Sequence, residues 1–162
     1  MQRQVILVCF MVVLTVACAD GSSTGGTEPA SKSTAAPKAT EAPAGVETTV
    51  DVSLSEFSVE PGVSEAPAGT ITFAATIADP DKNEAHNFVV LKTDLAFDAL
   101  PTLPVGNADT TSKEMEIMGF LPEFGPGDAP TLEVNAAPGN YVLICNIVDH
   151  YSRGMRAPFT VR

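Results

Sequence analysis

The chain has 162 residues and a formal net charge of −11 at pH 7, with a sequence pI of about 4.4. Phosphate backbones repel a chain this acidic, so the composition argues against nucleic acid as a partner. The length leaves room for one compact domain with a single hydrophobic core, and no internal repeat is visible.

Residues 1–17 have the organisation of a secretory signal. Arg3 supplies a positive start, and residues 5–16 form an apolar run that is too short to span a bilayer as a stable helix. The run ends in Leu14-Thr-Val-Ala-Cys18, which resembles the bacterial lipobox, where cleavage precedes a cysteine that receives lipid. We therefore expect a lipoprotein signal peptide and an exported protein anchored to the cell membrane through Cys18, facing the periplasm or the extracellular side. The alternative is ordinary cleavage in this region, which gives a free secreted product.

Residues 18–45 differ sharply in composition from the rest of the chain. After Cys18 they contain almost nothing but Ala, Ser, Thr, Gly, Pro, Glu and Lys. Because such a segment has no large apolar side chain to bury, it cannot offset the conformational entropy of ordering. We expect a flexible linker that lets a folded domain reach partners near the membrane surface. Phe, Val, Ile and Leu recur from Val46 onwards, so residues 46–162 are expected to form that domain.

The domain has the pattern of short β-strands. Residues 48–54 alternate polar and apolar side chains, and residues 70–77 are β-branched with period two. Further strands are predicted at residues 87–91, 131–134, 140–144 and 158–161. Turns rich in Pro and Gly separate these segments, and no long helical period is present, so we predict an all-β, Greek-key β-sandwich. Residues 92–125 have no clear pattern, and residues 111–118 fit either a helical turn or a strand.

Cys145 is the only one of the three cysteines that lies inside the predicted domain, since Cys9 and Cys18 belong to the leader and its end. A lone thiol in an oxidising compartment is a liability unless something protects or uses it, and a bound metal does both. The alternative is a buried cysteine that acts as a small hydrophobic residue.

Four side chains of this domain form a donor set that suits copper. Cys145, His150 and Met155 follow one another with four residues in each gap, and His86 precedes a predicted strand. A thiolate, two imidazoles and a weak thioether combine the soft and the nitrogen donors that copper needs when it alternates between two oxidation states. Two further methionines, at 115 and 118, are conceivable copper(I) ligands, but packing in the core or a loop explains them better.

The strand that ends in Cys145 sets the direction of its side chains. Because successive residues of a strand point to opposite faces, Tyr141, Leu143 and Cys145 should share one face and Val142 and Ile144 the other. We expect the loop that follows to bring the later donors back to the same pole of the sandwich.

These motifs resemble those of cupredoxins of the plastocyanin, azurin and sulfocyanin type. The shared elements are the pair His86-Asn87, the turn Pro138-Gly139, the segment from Tyr141 to Cys145, and then His150 and Met155. The resemblance covers residues 46–162. It implies a mononuclear type 1 copper site with one ion per chain, held by His86, Cys145, His150 and Met155. The ligand loop is longer than that of plastocyanin and closer to that of sulfocyanin.

The resemblance also implies supporting residues just outside the ligand set. Asn87 and Asn146 are expected there. The Asn87 backbone amide should donate to the Cys145 sulfur, and the Asn87 side chain should tie the two ligand loops together. Hydrogen bonds to a thiolate lower its electron density and tune the redox potential.

The resemblance implies a blue copper electron carrier. We expect no enzyme activity, because the domain lacks the extra histidines that a catalytic copper would require. The expected partners are redox proteins such as a cytochrome or a terminal oxidase, and the membrane through the lipid anchor, with the carrier itself a monomer. Two alternatives stay open. One is a copper-holding or copper-delivery protein of the cell envelope, which would expose its ion for exchange. The other is a β-sandwich interaction module without a redox metal.

The lipid anchor leads to a direct test. Replacing Cys18 with Ser removes the atom that would carry the lipid, so we expect the protein to move from the membrane fraction to the soluble fraction. Immunoblotting of fractionated cells measures this shift. Unchanged membrane association of the variant would rule out the anchor.

Overall fold

The computed structural model describes residues 45–82 and 84–162. The predicted signal peptide, the predicted lipidation site Cys18 and all of the predicted linker except Gly45 lie outside the described residues. Within the described ranges, no helix is long and apolar enough to cross a membrane.

Strands dominate the described part of the chain, which confirms the all-β prediction. They are β1 (Glu47–Ser55), β2 (Ser58–Pro61), β3 (Glu65–Ala66), β4 (Gly69–Ile77), β5 (His86–Lys92), β6 (Glu116–Phe124), β7 (Thr131–Ala136), β8 (Gly139–Ile144) and β9 (Arg156–Val161), with a short 3-10 helix at Pro80–Lys82. Every strand predicted from alternation is present, with its ends shifted by no more than about two residues. The patterns did not predict β2, β3 or β6.

Two sheets form the sandwich. One has the strand order β2-β1-β4-β7 and the other β3-β9-β8-β5-β6. β1 runs parallel to β4, and β3 runs parallel to β9, whereas the remaining pairs are antiparallel. β8 therefore lies between β9 and β5, and this arrangement positions the ligands described below.

The main core fills the space between the two sheets. The ring of Phe73 in β4 contacts two rings of the opposite sheet, with its centroid 5.7 Å from that of Phe88 in β5 and 5.5 Å from that of Phe159 in β9. All three rings are almost fully buried. These tilted and edge-on aromatic contacts join both sheets, so the core holds β5 and β9 at fixed positions relative to the opposite sheet.

The alternation predicted for β8 is confirmed, but both faces of the strand are buried. Tyr141, Leu143 and Cys145 point into the core between the sheets, and Val142 and Ile144 point into a second cluster on the outer face. The near-continuous apolar sequence of β8 is typical of a strand that is covered on both sides.

Residues 93–115, which had no clear pattern, cover this outer face, and we call them the outer cover. Leu95, Leu100, Ala108 and Met115 from this segment pack with Tyr151 over the outer face of β5 and β8. The segment has turns and an isolated bridge, and β6 begins only at Glu116. Met115 is thus a core residue, and Met118 in β6 packs against the main core, as expected for structural methionines.

Truncation in the outer cluster should destabilise the domain. Leu100 is 4% exposed, so Leu100→Ala should lower the free energy of unfolding by about 2–4 kcal/mol through lost burial and the cavity left behind. Leu103 is 41% exposed in the same segment, and Leu103→Ala should change it by less than about 0.5 kcal/mol. Urea titration of both variants measures the difference, and equal effects would contradict a second core.

Candidate metal centre

The four predicted donors meet at one pole of the sandwich. His86 is the first residue of β5, Cys145 directly follows β8, and Met155 directly precedes β9. His150 lies in the loop between β8 and β9. His86 is 1% exposed, Cys145 and Met155 are 0% exposed, and only His150 is partly open to solvent. Three of the four donors are therefore shielded from water.

The donor atoms have separations that suit a single ion. The Cys145 Sγ lies 3.8 Å from the His86 Nδ1 and 3.5 Å from the His150 Nδ1. The Met155 Sδ lies 3.1 Å from the His150 Nδ1. An ion bound at about 2.0 Å from a nitrogen and about 2.3 Å from a sulfur, with trigonal angles, would separate those two atoms by roughly 3.7 Å. The donors of His86, Cys145 and His150 all lie within 4.8 Å of one another, so one ion can reach all of them.

Burial sets the protonation of two donors. Burial lowers the pKa of His86, and the neighbouring His150 lowers it further. The lowered pKa favours the neutral imidazole, which is the form that binds metal. Burial raises the pKa of the Cys145 thiol, although the backbone amides of Ile147 and Asn87 oppose the effect. Binding of a metal would therefore require loss of the thiol proton, and the amides of Ile147 and Asn87 would then stabilise the thiolate.

Asn87 and Asn146 connect the elements that carry the donors. The Asn146 amide donates to the Asn87 Oδ1 at 2.6 Å, which links β5 to the loop after Cys145. The Asn146 side chain accepts from the Ala108 amide at 2.7 Å and donates to the Ala108 carbonyl oxygen at 3.1 Å. The structure thus places both residues beside the donor set, and it shows that Asn146 also holds the outer cover.

Hydrogen bonds close the loop between β8 and β9 at its base. The Cys145 amide donates to the Met155 carbonyl oxygen at 3.1 Å, and the Met155 amide donates to the His150 carbonyl oxygen at 3.0 Å. Gly154 has a φ of +123°, and a Cβ there would lie 2.9 Å from the Phe57 carbonyl oxygen. Only glycine fits this close approach without strain, so the path of the loop back towards β9 depends on it.

Sequence reasoning missed the aromatic neighbour of His150. Phe57, in the turn between β1 and β2, has its ring centroid 6.0 Å from that of His150 in an edge-on arrangement. The Arg153 guanidinium lies 3.6 Å above the Phe57 ring. Phe57 has a positive φ of 62° and is distant along the chain, so no local pattern connects it with the donors.

Tyr151 directly follows His150 in sequence but does not lie at the surface beside it. Instead Tyr151 is 2% exposed and points into the outer cluster. The surface depression of about 340 Å³ beside His150 is lined by other residues, namely Glu56, Phe57, Glu84, Ala85, Val148, Asp149 and Arg153.

Comparisons with known proteins agree with this architecture. No protein-family model matches the chain. No curated protein matches it. Among solved structures, auracyanin A, a "blue" copper protein from the green thermophilic photosynthetic bacterium Chloroflexus aurantiacus, is 21% identical with a TM-score of 0.51. That match covers 72% of this chain and 100% of the other.

Two further structures are similar at lower TM-scores. Dithionite-reduced auracyanin from the photosynthetic bacterium Roseiflexus castenholzii is 28% identical over 71% of this chain and 96% of its own, with a TM-score of 0.47. Reduced rusticyanin is 18% identical over 71% of this chain and 79% of its own, also with a TM-score of 0.47. The fold assignment therefore depends on the auracyanin A match and on the strand arrangement. The described domain has the cupredoxin fold, and its four donor side chains are arranged as in a type 1 copper site.

Proposed function

We propose that the protein is a mononuclear blue copper electron carrier. The observation that carries the proposal is the convergence of two imidazoles, one thiol and one thioether at a single buried pole. Copper bound by this donor set takes up and returns one electron. The side chains supply nitrogen donors suited to the oxidised ion and sulfur donors suited to the reduced ion, and their burial keeps water out of the site.

The burial pattern favours a carrier over a delivery protein. An ion held by His86, Cys145 and Met155 would be enclosed, because these three side chains are inaccessible to solvent. A delivery site has to expose its ion to a receiving protein. His150 alone is partly exposed, so its ring provides a short route for an electron while the ion stays in place.

The proposal assigns no catalysed reaction to the domain. The whole chain has two histidines, and both belong to the donor set. No further imidazole is left for a second, catalytic copper. Both histidines instead hold and orient the ion, and the amides of Asn87 and Ile147 that face the sulfur adjust its electron density.

We extend the proposal to the location and the partners of the protein. The lipobox-like sequence ending in Cys18 supports an exported, lipid-anchored carrier, and the composition of residues 18–45 supports a flexible tether. Such a carrier would act as a monomer and exchange electrons with a membrane-bound redox protein, such as a cytochrome or a terminal oxidase.

Copper titration tests the main proposal. We expect one Cu(II) per chain, an intense blue colour from charge transfer between thiolate and copper, and reversible bleaching on reduction. Cys145→Ser should abolish the colour, whereas Cys18→Ser, the same substitution outside the site, should retain it. Visible and paramagnetic resonance spectra measure both. A pale protein that readily surrenders its copper would favour delivery, and a protein that takes up no stoichiometric copper would favour an interaction module.

The link through Asn87 leads to a second test. Asn87→Ala removes the acceptor of the Asn146 amide, so we expect about 10-fold weaker copper retention or a shifted redox potential. Asn135→Ala is the matched control, since the Asn135 side chain accepts from the Thr70 hydroxyl in the other sheet. Chelator competition and voltammetry provide the readouts. Retention and potential unaltered in Asn87→Ala would exclude this function of the side chain.

A further inference from the structure

We define the ligand loop as residues 145–155. Its tip is hydrogen-bonded to a segment remote in sequence, residues 97–108, which we name the brace. The Asp149 amide donates to the Val105 carbonyl oxygen at 2.9 Å, and the Ser152 amide donates to the Gly106 carbonyl oxygen at 3.0 Å. These bonds lie on either side of His150 along the loop, so the brace holds the backbone that carries this histidine.

Tyr151 adds a buried connection between the same two segments. Its hydroxyl accepts from the Leu100 amide at 3.0 Å and donates to the Phe97 carbonyl oxygen at 3.0 Å. Its ring is nearly fully buried in the outer cluster. The Tyr151 side chain thus supplies hydrogen-bond partners for two backbone groups of the brace. Polar groups buried away from water require such partners.

Close packing accompanies these hydrogen bonds. Gly106 has a φ of +85°, and a Cβ at this position would lie 2.6 Å from the Ser152 Oγ and 3.0 Å from the Asp149 Cα. At Gly106 the brace therefore lies so close to the loop that only glycine fits without a clash. At Ala108, the last residue of the brace, the Asn146 side chain makes two further hydrogen bonds to the backbone.

The ligand loop has two kinds of support. The Cys145 amide is bonded to the Met155 carbonyl oxygen, and both residues adjoin the paired strands β8 and β9. The sheet therefore fixes these two sulfur donors. His150 lies at the tip, beyond the strand pairing, and its backbone depends on the loop's own turns and on the brace.

We propose that Tyr151 is a positioning residue for His150: acting through the brace, it sets the distance of the His150 imidazole from the sulfur donors. The metal-dependent consequences of this inference rest on the proposed copper function. A displaced imidazole weakens a nitrogen bond that Cu(II) needs more than Cu(I) does. Loss of the Tyr151 hydroxyl should therefore raise the redox potential and speed the loss of Cu(II).

Two tyrosine variants of the full chain test the inference. Tyr151→Phe keeps the ring and removes both hydrogen bonds of its hydroxyl. Tyr141→Phe is the matched control, because Tyr141 is equally buried and its hydroxyl donates to the Ala137 carbonyl oxygen near the start of β8. We expect about 10-fold faster loss of Cu(II) to a chelator, a raised potential and a shifted blue band in Tyr151→Phe only. Identical copper loss, potential and spectrum in the two variants would overturn the proposal.

A metal-free measurement separates this inference from the copper proposal. In the apoprotein, amide hydrogen exchange at Asp149 and Ser152 should be at least about 10-fold faster in Tyr151→Phe than in Tyr141→Phe, because their acceptors belong to the brace. Equal exchange at these amides would refute the brace even if copper binds. Faster exchange in a protein that never turns blue would support the brace while the copper function fails.

Glycine variants test the same contact between brace and loop, with the substitution placed in the brace. Gly106→Ala should push the brace away from Ser152 and reproduce the exchange and spectral changes of Tyr151→Phe. Gly127→Ala is the control, since Gly127 has a similar φ of +90° but no atom within 4 Å of an added Cβ. Both variants carry the same kind of backbone strain, so an effect shared equally by both would contradict a specific contact at Gly106.

Discussion

The closure of the ligand loop at the end of the β8–β9 pair is the constraint on which the site depends. The hydrogen bond from the Cys145 amide to the Met155 carbonyl oxygen brings the two sulfur donors to one pole. β5 pairs with the other edge of β8, and its first residue, His86, lies beside the thiol. The paired strands and this closing bond therefore bring three donors together, and the loop adds His150. Main-chain and side-chain hydrogen bonds of the protein itself, including those of Asn87 and Tyr151, hold the donors in place.

Packing on both faces makes these strands a rigid base. Phe88 and Val90 of β5 belong to the core between the sheets, whereas Val89 and Leu91 belong to the outer cluster. A strand packed on one face can tilt towards solvent, but one packed on both faces cannot shift without opening a cavity. The segment at residues 93–115 therefore stabilises the site although it supplies none of the four donors.

Local patterns were sufficient to predict six of the nine strands of the described residues and the donor set, but not β2, β3, β6 or the outer cover. β1 and β4 alternate between more and less buried residues along the strand itself, so they can be recognised without knowledge of a partner strand. Cys145, His150 and Met155 lie within one short loop, so their spacing is also visible locally. Residues 93–115 have no period, because their order comes from turns and from long-range bonds such as that between Leu100 and Tyr151. β6 was missed because its exposed and buried residues do not alternate, and its pairing with β5 contains irregularities of register. Single-sequence reasoning cannot see such distant partners.

A one-electron carrier must reconcile two requirements, since its metal has to stay in place while electrons enter and leave. Complete burial would hold the ion but lengthen the path of the electron, and full exposure would admit water and competing ligands. Here three donors are inaccessible and the fourth, His150, is partly open. That histidine is the donor farthest from the sheet pairing, so openness at the tip would cost rigidity unless another element held the loop. The brace provides that support: the Val105 and Gly106 carbonyl oxygens accept from loop amides, and the Leu100 amide donates to the Tyr151 hydroxyl, while His150 stays partly open to solvent.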